Sequence, residues 1–336
     1  PYRHGMKRFV KRAIYKIFKV DLNSRSIKKQ FFARSEIFKG NDIVQLVNEV
    51  SFGTVPAVEQ ELLQYIFDHN EKVFLLSCGT DHLSVRYAMD QKFRYSIATP
   101  YLEQRGTEAQ FQHMTQYIAP EFKALHHFIF KHINGVIASD LDYDIPLRGH
   151  PKYLGMVPNP VHVANFRYQP LEVSGTIAIF HGINTNNYYK KGNDIFEAAL
   201  AIVAKSHSHK MEVTTVHSVP YTEYIKLFDN CHILLDQVFA YDQGFNALEA
   251  MAKGKVVFTG AEQEFLDYYN LPEDHVAINA LPDAQQIADK LIWLLDHPQK
   301  LLEISKNARA FIEKEHDHVL AAQRYYEKWT GVTRNA

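Results

Sequence analysis

The sequence predicts an α/β protein of two domains, each built on a doubly wound parallel sheet. Its 336 residues are a length typical of two domains. From residue 173 onward, short apolar segments of strand length alternate with longer segments whose apolar residues recur at helical spacing. Strands and helices that alternate in this way form a parallel sheet covered by helices on both faces.

The composition is that of a globular protein. Apolar residues make up 46% of the chain and charged residues 22%, which argues against disorder. The two cysteines, Cys78 and Cys231, lie far apart in strand-like segments, and we expect them to be reduced core residues. No apolar run approaches the roughly 20 residues that span a bilayer, and no secretory signal pattern is present. A cytoplasmic location follows as an expectation.

Charge is unevenly distributed along the chain. Residues 1–40 hold 12 Lys/Arg and 2 Asp/Glu, whereas the remainder holds 25 and 36. Residues 7–20 predict a basic amphipathic helix, which suits peripheral contact with an anionic membrane, such as the inner face of a bacterial membrane. The alternative is a helix packed on its own domain with a solvated basic face. Nucleic-acid binding is not expected, because no aromatic residues are interleaved with the basic ones.

The pattern divides the chain into four parts. A basic segment covers 1–40, a first domain 41–165, a second domain 173–316 and a last helix 317–331. In the first domain we expect strands at 41–49, 72–77 and 135–139, and helices at 55–69 and 111–132. In the second domain we expect strands at 176–180, 211–217, 232–237, 255–259 and 276–279. The helices there are expected at 193–204, 221–229, 246–253, 284–296 and 299–316, with the last one at 319–329.

Residues 231–260 carry the clearest functional signal. They predict a strand, a loop that ends at Gly244, a helix with Phe245, Leu248, Met251 and Ala252 on its apolar face, and a second strand. The loop then lies at the carboxyl end of a strand, where open α/β sheets bind ligands. The helix start suits a phosphate, and Glu249 is placed to accept hydrogen bonds from ribose hydroxyls. The alternative is a βαβ unit without a ligand.

The segment GFNALEAMAKGKVV resembles the donor site of retaining glycosyltransferases of the GT-B fold, the large family-4 (group 1) type. The resemblance implies two Rossmann-like domains. It also implies that Glu249 contacts the nucleotide ribose. The family's first glutamate, which touches the donor sugar, falls on Tyr241 with Asp242 adjacent, so this contact does not carry over. VPNPV (157–161) resembles the end of the family's first domain.

A second family motif, G-R followed by K-G, binds the donor diphosphate. Lys191-Gly192 matches the K-G pair, whereas Ile183 occupies the arginine position and Lys190 is a candidate substitute. A lysine here would neutralise the charge on the leaving diphosphate. The expected donor-binding residues are Gly182, Lys190, Lys191, Gly244, Phe245, Asn246 and Glu249.

Asp81 and His82 are the candidate catalytic residues, because they follow the strand 72–77 and the family has a His or Asp in this loop that faces the donor sugar. The histidines, including His126-His127, show no metal-ligand spacing with acidic partners. We therefore expect no metal and no cofactor apart from the nucleotide sugar itself. The lysine and the helix dipole would stabilise the charge.

The chain departs from the family at its start, since no strand and Gly-rich loop precede Asn41. We expect the first domain to lack its N-terminal strand, either because the chain is truncated or because its subgroup starts differently. In the family the terminal helix crosses back onto the first domain, and we expect this here.

The function predicted is transfer of a sugar from a nucleotide diphosphate sugar to a glycan or lipid-linked acceptor hydroxyl with retention, in bacterial surface polysaccharide or glycolipid synthesis. Two alternatives stay open. One is a non-catalytic GT-B subunit or scaffold at a membrane or partner, and the other is a nucleotide-sugar epimerase. The base, the sugar, the acceptor and the oligomeric state do not follow from the sequence.

Overall fold

The computed structural model describes residues 21–331. The predicted basic helix at 7–20 lies outside this range, as do most of the residues that give segment 1–40 its charge. Among the described residues, no helix is long and apolar enough to cross a membrane. The chain forms two compact units, and each is an α/β structure with its own sheet.

The first unit comprises residues up to His82, with 115–137 and 149–155. Its sheet has four strands in the order β1-β2-β3-β4, and β1 and β2 are parallel. The strands are β1 (Val44–Val47), β2 (Val73–Ser77), β3 (Gly135–Ala138) and β4 (Tyr153–Met156). The helices up to residue 148 are α1 (Leu22–Phe32), α2 (Pro56–His69), α3 (His82–Met89), α4 (Thr99–Leu102), α5 (Glu108–Thr115), α6 (Pro120–His132) and α7 (Leu141–Leu147). Of these, α1, α2 and α6 belong to the first unit, and the others lie almost entirely in the second.

The second unit comprises residues 83–114, 138–148 and 156 onward. Its five strands are parallel in the order β6-β5-β7-β8-β9. They are β5 (Ile177–Ile183), β6 (Met211–His217), β7 (Ile233–Leu235), β8 (Val256–Thr259) and β9 (Ile278–Asn279). The helices are α8 (Asn193–His207), α9 (Tyr221–Asp229), α10 (Phe245–Ala252), α11 (Gln263–Tyr269), α12 (Ala284–Asp296), α13 (Pro298–Glu315) and α14 (His318–Thr330).

This strand order is a doubly wound arrangement, as the sequence predicts. After β5 the chain adds β6 on one side of it and then adds β7, β8 and β9 on the other side, so the order of strands reverses between β5 and β7. Ligands of such sheets bind outside the carboxyl ends of the strands at this point. All residues of β7 and β8 are buried. Helix α8 packs against α12, and α10 packs against α13. The reversal therefore places the ends of β5 and β7 side by side above a rigid core.

Several predicted elements differ from the structure. The helix expected at 111–132 is two helices, because Pro120 lacks a backbone N–H and begins a new helix instead of continuing one. Strand β1 stops at Val47, since Asn48 adopts a left-handed conformation with φ 67°. Strand β4 and helices α1, α3, α4, α7 and α11 were not predicted, because these elements are short or their apolar residues follow no clear period. The predicted contact of the terminal helix with the first domain stays a prediction, as do the four-part domain limits.

Candidate functional site

A cavity of about 460 Å³ lies at the carboxyl end of β5 in the second unit. The end of β5, the end of β6 and the first turn of α10 all contribute to it. Its lining residues are Gly182, Ile183, Asn184, Asn186, Asn187, Lys191, Val216, Ser218, Val219, Tyr224 and Asn246. This is the location that the switch of chain direction between β5 and β7 favours for a ligand. Three predicted donor-site residues, Gly182, Lys191 and Asn246, are thereby brought together.

Lys191 is held in place by a buried carboxylate. Its Nζ lies 2.8 Å from Oδ1 of Asp236, whose side chain is 1% exposed against 30% for the lysine. Asn246 donates from Nδ2 to the same oxygen at 3.0 Å, and Tyr224 donates its hydroxyl to Oδ1 of Asn246 at 2.9 Å. Thr259 donates to the second oxygen of Asp236 at 3.4 Å. The aspartate thus fixes the lysine and the asparagine at the cavity wall.

Two glycines allow these groups to approach. A Cβ on Gly182 would lie 2.4 Å from Cε2 of Tyr224, so glycine is needed for the tyrosine to pack on β5. Gly192 has φ 72°, in the left-handed region that favours glycine. A Cβ there would lie 2.6 Å from Cβ of Val238. The loop that carries Lys191 can therefore turn into α8 close to the segment 236–238 that follows β7.

The start of α10 agrees with the prediction in part. Gly244 is its N-cap residue, and no side chain among residues 21–331 caps the helix. Its first N–H groups therefore lie near the cavity wall at Asn246. Phe245 was expected on the apolar face, but it is 53% exposed, whereas Leu248, Met251 and Ala252 are buried. Because the helix begins at Phe245, this residue projects outward from the first turn.

Glu249 lies on α10 one turn beyond Asn246, on the same side of the helix. It is half-buried and is not among the cavity's lining residues. Burial raises the pKa of its carboxyl, and Lys253 partly offsets this. The structure gives its carboxylate no hydrogen-bond partner within the described range. A ligand hydroxyl beside Asn246 would therefore find an acceptor here, although the ribose contact itself stays a prediction.

Lys190 does not line the cavity, although it precedes Lys191. Its Nζ lies 3.2 Å from Nε2 of His113 on α5. Burial, and then the charge of Lys191, lower the pKa of Lys190 to about 8. The two adjacent lysines thus have different partners, an imidazole and a carboxylate. Its role as a substitute for the missing arginine stays a prediction.

Tyr241, at the position of the family's first glutamate, is a core residue. It is 2% exposed, and its ring lies against those of Phe93 and Tyr95 with centroid distances of 5.1 and 5.5 Å. Its hydroxyl accepts a hydrogen bond from the backbone N of Arg94 at 2.9 Å. The adjacent Asp242 is also buried and accepts hydrogen bonds from backbone N–H groups. This position therefore binds the segment 93–95 to the loop 239–243.

The predicted catalytic residues, Asp81 and His82, follow β2 in the first unit, and both are buried. Asp81 accepts a hydrogen bond from Ser77, and Nδ1 of His82 lies 2.7 Å from the carbonyl oxygen of Tyr117. Glu49, which follows β1, accepts the backbone N–H of His82 at 3.1 Å. The same carboxyl lies 2.6 Å from Nδ1 of His126. The pair of residues thus belongs to a buried acid–base cluster.

Sequence reasoning missed Asp236, Tyr224, Glu49 and the role of His126. For Asp236 a signal was available, because it is a charged residue near the end of the otherwise apolar segment that predicts the strand 232–237. Glu49 was assigned to the end of a strand, and its partner lies 77 residues away. No period or spacing connects residues so far apart, and only the packing of α6 against the rest of the first unit brings them together.

Within residues 21–331, no group of three or more His, Cys, Asp and Glu side chains is arranged to hold a metal ion. The candidate site consists of one ion-paired lysine, polar side chains and a helix start. These groups can bind an anion and hydroxyl groups.

Comparisons with known proteins agree with this arrangement. Residues 189–327 match the family model described as glycosyl transferase-like. This range contains Lys191, Asp236, Asn246 and Glu249. The sequence matches no curated protein.

Solved structures resemble the chain over most of its length. Sucrose-phosphate synthase from Thermosynechococcus elongatus has a TM-score of 0.59 at 16% identity, covering 90% of this chain and 77% of that one. HepE of Anabaena in complex with UDP-glucose has a TM-score of 0.51 at 13% identity, covering 91% and 96%. WaaG, a glycosyltransferase involved in lipopolysaccharide biosynthesis, has a TM-score of 0.54 at 13% identity, covering 82% and 83%. The chain has the GT-B fold, with a glycosyl transferase-like second half, and these findings support a glycosyltransferase.

Proposed function

We propose that this chain transfers a sugar from a nucleoside diphosphate sugar to an acceptor hydroxyl, with retention at the anomeric carbon. The observation that carries the proposal is the cavity at the end of β5, where Asp236 holds Lys191 and Asn246 beside the start of α10. A diphosphate in this cavity meets a cation and helix N–H groups. Glu249, one turn along α10, is the acceptor for ribose hydroxyls.

The chemistry needs charge stabilisation on the leaving group. When the bond between the anomeric carbon and the phosphate oxygen breaks, negative charge grows on the nucleoside diphosphate. Lys191 and the dipole of α10 are oriented before the reaction and stabilise that charge. We propose that no metal takes part, because these groups supply the positive charge that a divalent cation supplies elsewhere.

The donor is proposed to be a uridine or related nucleotide sugar. HepE has been solved with UDP, with UDP and glucose, and with UDP-glucose, so UDP-sugars are the first donors to test. For the acceptor we propose a glycan or a lipid-linked glycan in bacterial surface polysaccharide synthesis. WaaG acts in lipopolysaccharide biosynthesis, and TarM has been solved with an α-GlcNAc-glycerol and UDP.

Nucleotide binding tests the donor site. We would measure the thermal unfolding of the native chain, of Glu249→Ala and of the control Glu303→Ala with a panel of nucleoside diphosphates. Glu303 is a carboxylate at the surface of α13 that pairs with Lys300. A ligand that binds only the folded state raises its stability by mass action. We expect one nucleotide to stabilise the native chain and Glu303→Ala, and to stabilise Glu249→Ala less.

Product analysis separates the proposal from its alternatives. Release of free sugar or of a glycosylated acceptor supports a transferase. Nucleotide binding without either product supports the non-catalytic alternative, which the buried Tyr241 and the apolar Ile183 at two family positions favour. A changed nucleotide sugar without acceptor supports an epimerase. Absence of binding by every nucleotide would contradict the donor site.

The basic residues at 7–20 support a membrane-proximal acceptor. These six residues are Lys7, Arg8, Lys11, Arg12, Lys16 and Lys19, and each contributes about 1 kcal/mol of attraction to an anionic surface. Sedimentation with vesicles that contain anionic lipid would test this. We expect binding that is lost when the six are replaced by glutamine. Equal binding of both proteins would contradict a membrane role for this segment.

A further inference from the structure

The loop between β5 and α8, residues 184–192, forms one wall of the donor cavity. Its residues that line the cavity are Asn184, Asn186, Asn187 and Lys191. Backbone hydrogen bonds shape the loop from within, since the N–H of Lys191 donates to Asn187 at 2.9 Å and that of Gly192 donates to Tyr189 at 3.0 Å. The position of the wall therefore depends on how this loop is attached to the sheet.

Both ends of the loop are attached to the edge of the sheet. Near its start, the backbone N–H of Thr185 donates to Oγ of Ser218, which follows β6, at 3.1 Å. Near its end, Lys191 pairs with Asp236, which follows β7. The middle of the loop, around Tyr188, is attached in a different way.

Asn193, the first residue of α8, binds this middle part. Its backbone N–H and its side-chain Nδ2 both donate to the carbonyl oxygen of Tyr188, at 3.1 and 2.9 Å. The hydroxyl of Tyr188 donates to Glu197 on the same helix. Because the amide nitrogen of Asn193 faces a carbonyl oxygen, its Oδ1 is left to accept a hydrogen bond from another group. Asn193 is 2% exposed, so this group has to come from the core.

His181 on β5 supplies that hydrogen bond. Its Nε2 lies 2.9 Å from Oδ1 of Asn193. An amide oxygen only accepts, so the neutral ring carries its proton on Nε2 and its lone pair on Nδ1. Burial lowers the pKa of His181, and the bond to Asn193 and the charges of Glu197 and His217 have smaller effects. The imidazole is therefore neutral at pH 7.

The other nitrogen of this ring is buried without a partner. His181 has an exposure of 0%, and Nδ1 accepts no hydrogen bond from any group within residues 21–331. An unpaired buried acceptor destabilises a fold, and an apolar side chain at this position of an interior strand would avoid that cost. The imidazole does make the hydrogen bond to Asn193, so its value to the protein lies in what that bond holds.

We infer that His181 and Asn193 are a positioning pair for the donor site, which ties the middle of the loop 184–192 to β5 and keeps the cavity wall in its binding conformation. Neither residue lines the cavity, so the pair acts through the loop and not by touching the ligand. The inference rests on the proposed function for the identity of the ligand. The attachment of the loop to β5 does not depend on it.

Hydrogen exchange tests the attachment without any ligand. Mass spectrometry of the full chain measures how often the backbone of residues 184–193 opens. In His181→Leu the donor is gone and Oδ1 of Asn193 is left unpaired, so we expect these residues to exchange about tenfold faster or more. His181→Gln carries an amide N–H close to the position of Nε2, and we expect it to restore slow exchange. Equal exchange in the native chain and in His181→Leu would overturn the inference, as would equally fast exchange in His181→Gln and His181→Leu.

His316 provides a matched control in the same unit. It is 3% exposed, its Nδ1 lies 2.8 Å from the carbonyl oxygen of Asn159, and its Nε2 has no partner in the described part of the chain. It follows α13 and does not line the donor cavity. His316→Leu therefore removes the same kind of buried hydrogen bond at another place. If it accelerates exchange at 184–193 as much as His181→Leu does, the effect is a general loss of stability and the inference is wrong.

Titration calorimetry with UDP tests the consequence for the donor site. We expect His181→Leu and Asn193→Ala each to weaken UDP binding about tenfold, because a loop that spends less time in the binding conformation raises the apparent dissociation constant in proportion. His181→Gln and His316→Leu should bind as the native chain does. The double variant His181→Leu/Asn193→Ala should bind no more weakly than either single variant, since the two residues act as one unit. Additive losses, or native affinity in both single variants, would overturn the inference.

The two measurements also separate this inference from the proposed function. If the native chain binds neither UDP nor any other nucleoside diphosphate, the proposed donor site fails, and hydrogen exchange still decides whether His181 and Asn193 hold the loop. If UDP binds the native chain and His181→Leu equally well, the donor site stands and the positioning pair is excluded.

Discussion

Lys191 donates to Asp236 across 2.8 Å, and this contact joins the loop after β5 to the residue that follows β7. The aspartate is buried and the lysine is partly exposed. Because the lysine ends at the cavity wall, it contributes both to the stability of the fold and to the charge that a diphosphate would meet.

We expect Lys191→Met to weaken nucleoside diphosphate binding at least tenfold, equivalent to about 1.4 kcal/mol. The variant also leaves the buried Asp236 without its cation, so we expect the free energy of unfolding to fall by about 2 kcal/mol. Titration calorimetry and urea unfolding measure the two effects. Lys205→Met, at an exposed site on α8, is the control. Unchanged affinity in Lys191→Met would exclude this lysine from the diphosphate site.

Restoring the family residue at position 241 should not restore a sugar contact. Tyr241→Glu places a carboxylate among Phe93 and Tyr95, beside Asp142, which accepts the backbone N–H of residue 241. We expect a loss of about 3 kcal/mol or more in the free energy of unfolding and no gain in transfer rate. Tyr241→Phe, which removes only the hydroxyl, should cost about 1 kcal/mol. A faster and equally stable Tyr241→Glu variant would contradict this account of the loop.

Gly182→Ala tests the close approach of β5 and Tyr224. The added Cβ would lie 2.4 Å from the ring, so the tyrosine has to move away from Asn246. We expect a loss of about 1–3 kcal/mol in the free energy of unfolding and weaker nucleotide binding. Gly175→Ala is the control, since a Cβ added at this glycine would have no atom within 4 Å, and it should change both quantities little. Equal melting temperatures for the two variants would show that Tyr224 moves without cost.

The stability of the second unit should depend on pH through its buried carboxyls. Burial raises the pKa of Asp142 to about 7 and that of Asp242 to about 6. The folded state therefore holds these protons more tightly than the unfolded state, whose aspartates titrate near 3.9. The sign follows from linkage: the contribution of both groups to stability is largest below about pH 4 and is lost as the pH rises to about 7.

Asp242→Asn tests this dependence, because asparagine keeps an acceptor for the N–H of Leu141 but cannot ionise. Relative to the native chain, we expect the variant to become more stable by about 1–3 kcal/mol between pH 4 and pH 8. Urea unfolding at several pH values gives this difference. Asp289→Asn, at an exposed site on α12, should give a difference that does not vary with pH. A flat difference for Asp242→Asn would contradict a raised pKa.

The sequence by itself determined the alternation of strands and helices from residue 173 onward, and with it the parallel sheet and the edge at which the cavity lies. These features follow from local periodicity, because the spacing of apolar residues along each helix and strand defines the face that it buries. Gly182 and Lys191 were identified by the resemblance to the family's diphosphate motif, and Asn246 by its place at the start of a predicted helix in the segment that resembles the donor site.

Only the tertiary structure decided which partner each of these residues has. The side chain of Lys191 pairs with Asp236, whereas that of Lys190 contacts His113. Nothing in the sequence around the two lysines distinguishes their partners. Tyr241 lies in the core because Phe93 and Tyr95, almost 150 positions earlier, pack on it. Glu49 meets His126 only once the sheet has formed and α6 has packed beside α2 in the same unit. Hydrogen bonds and ion pairs between distant segments carry no period, and burial makes them strong enough to decide the chemistry of a site.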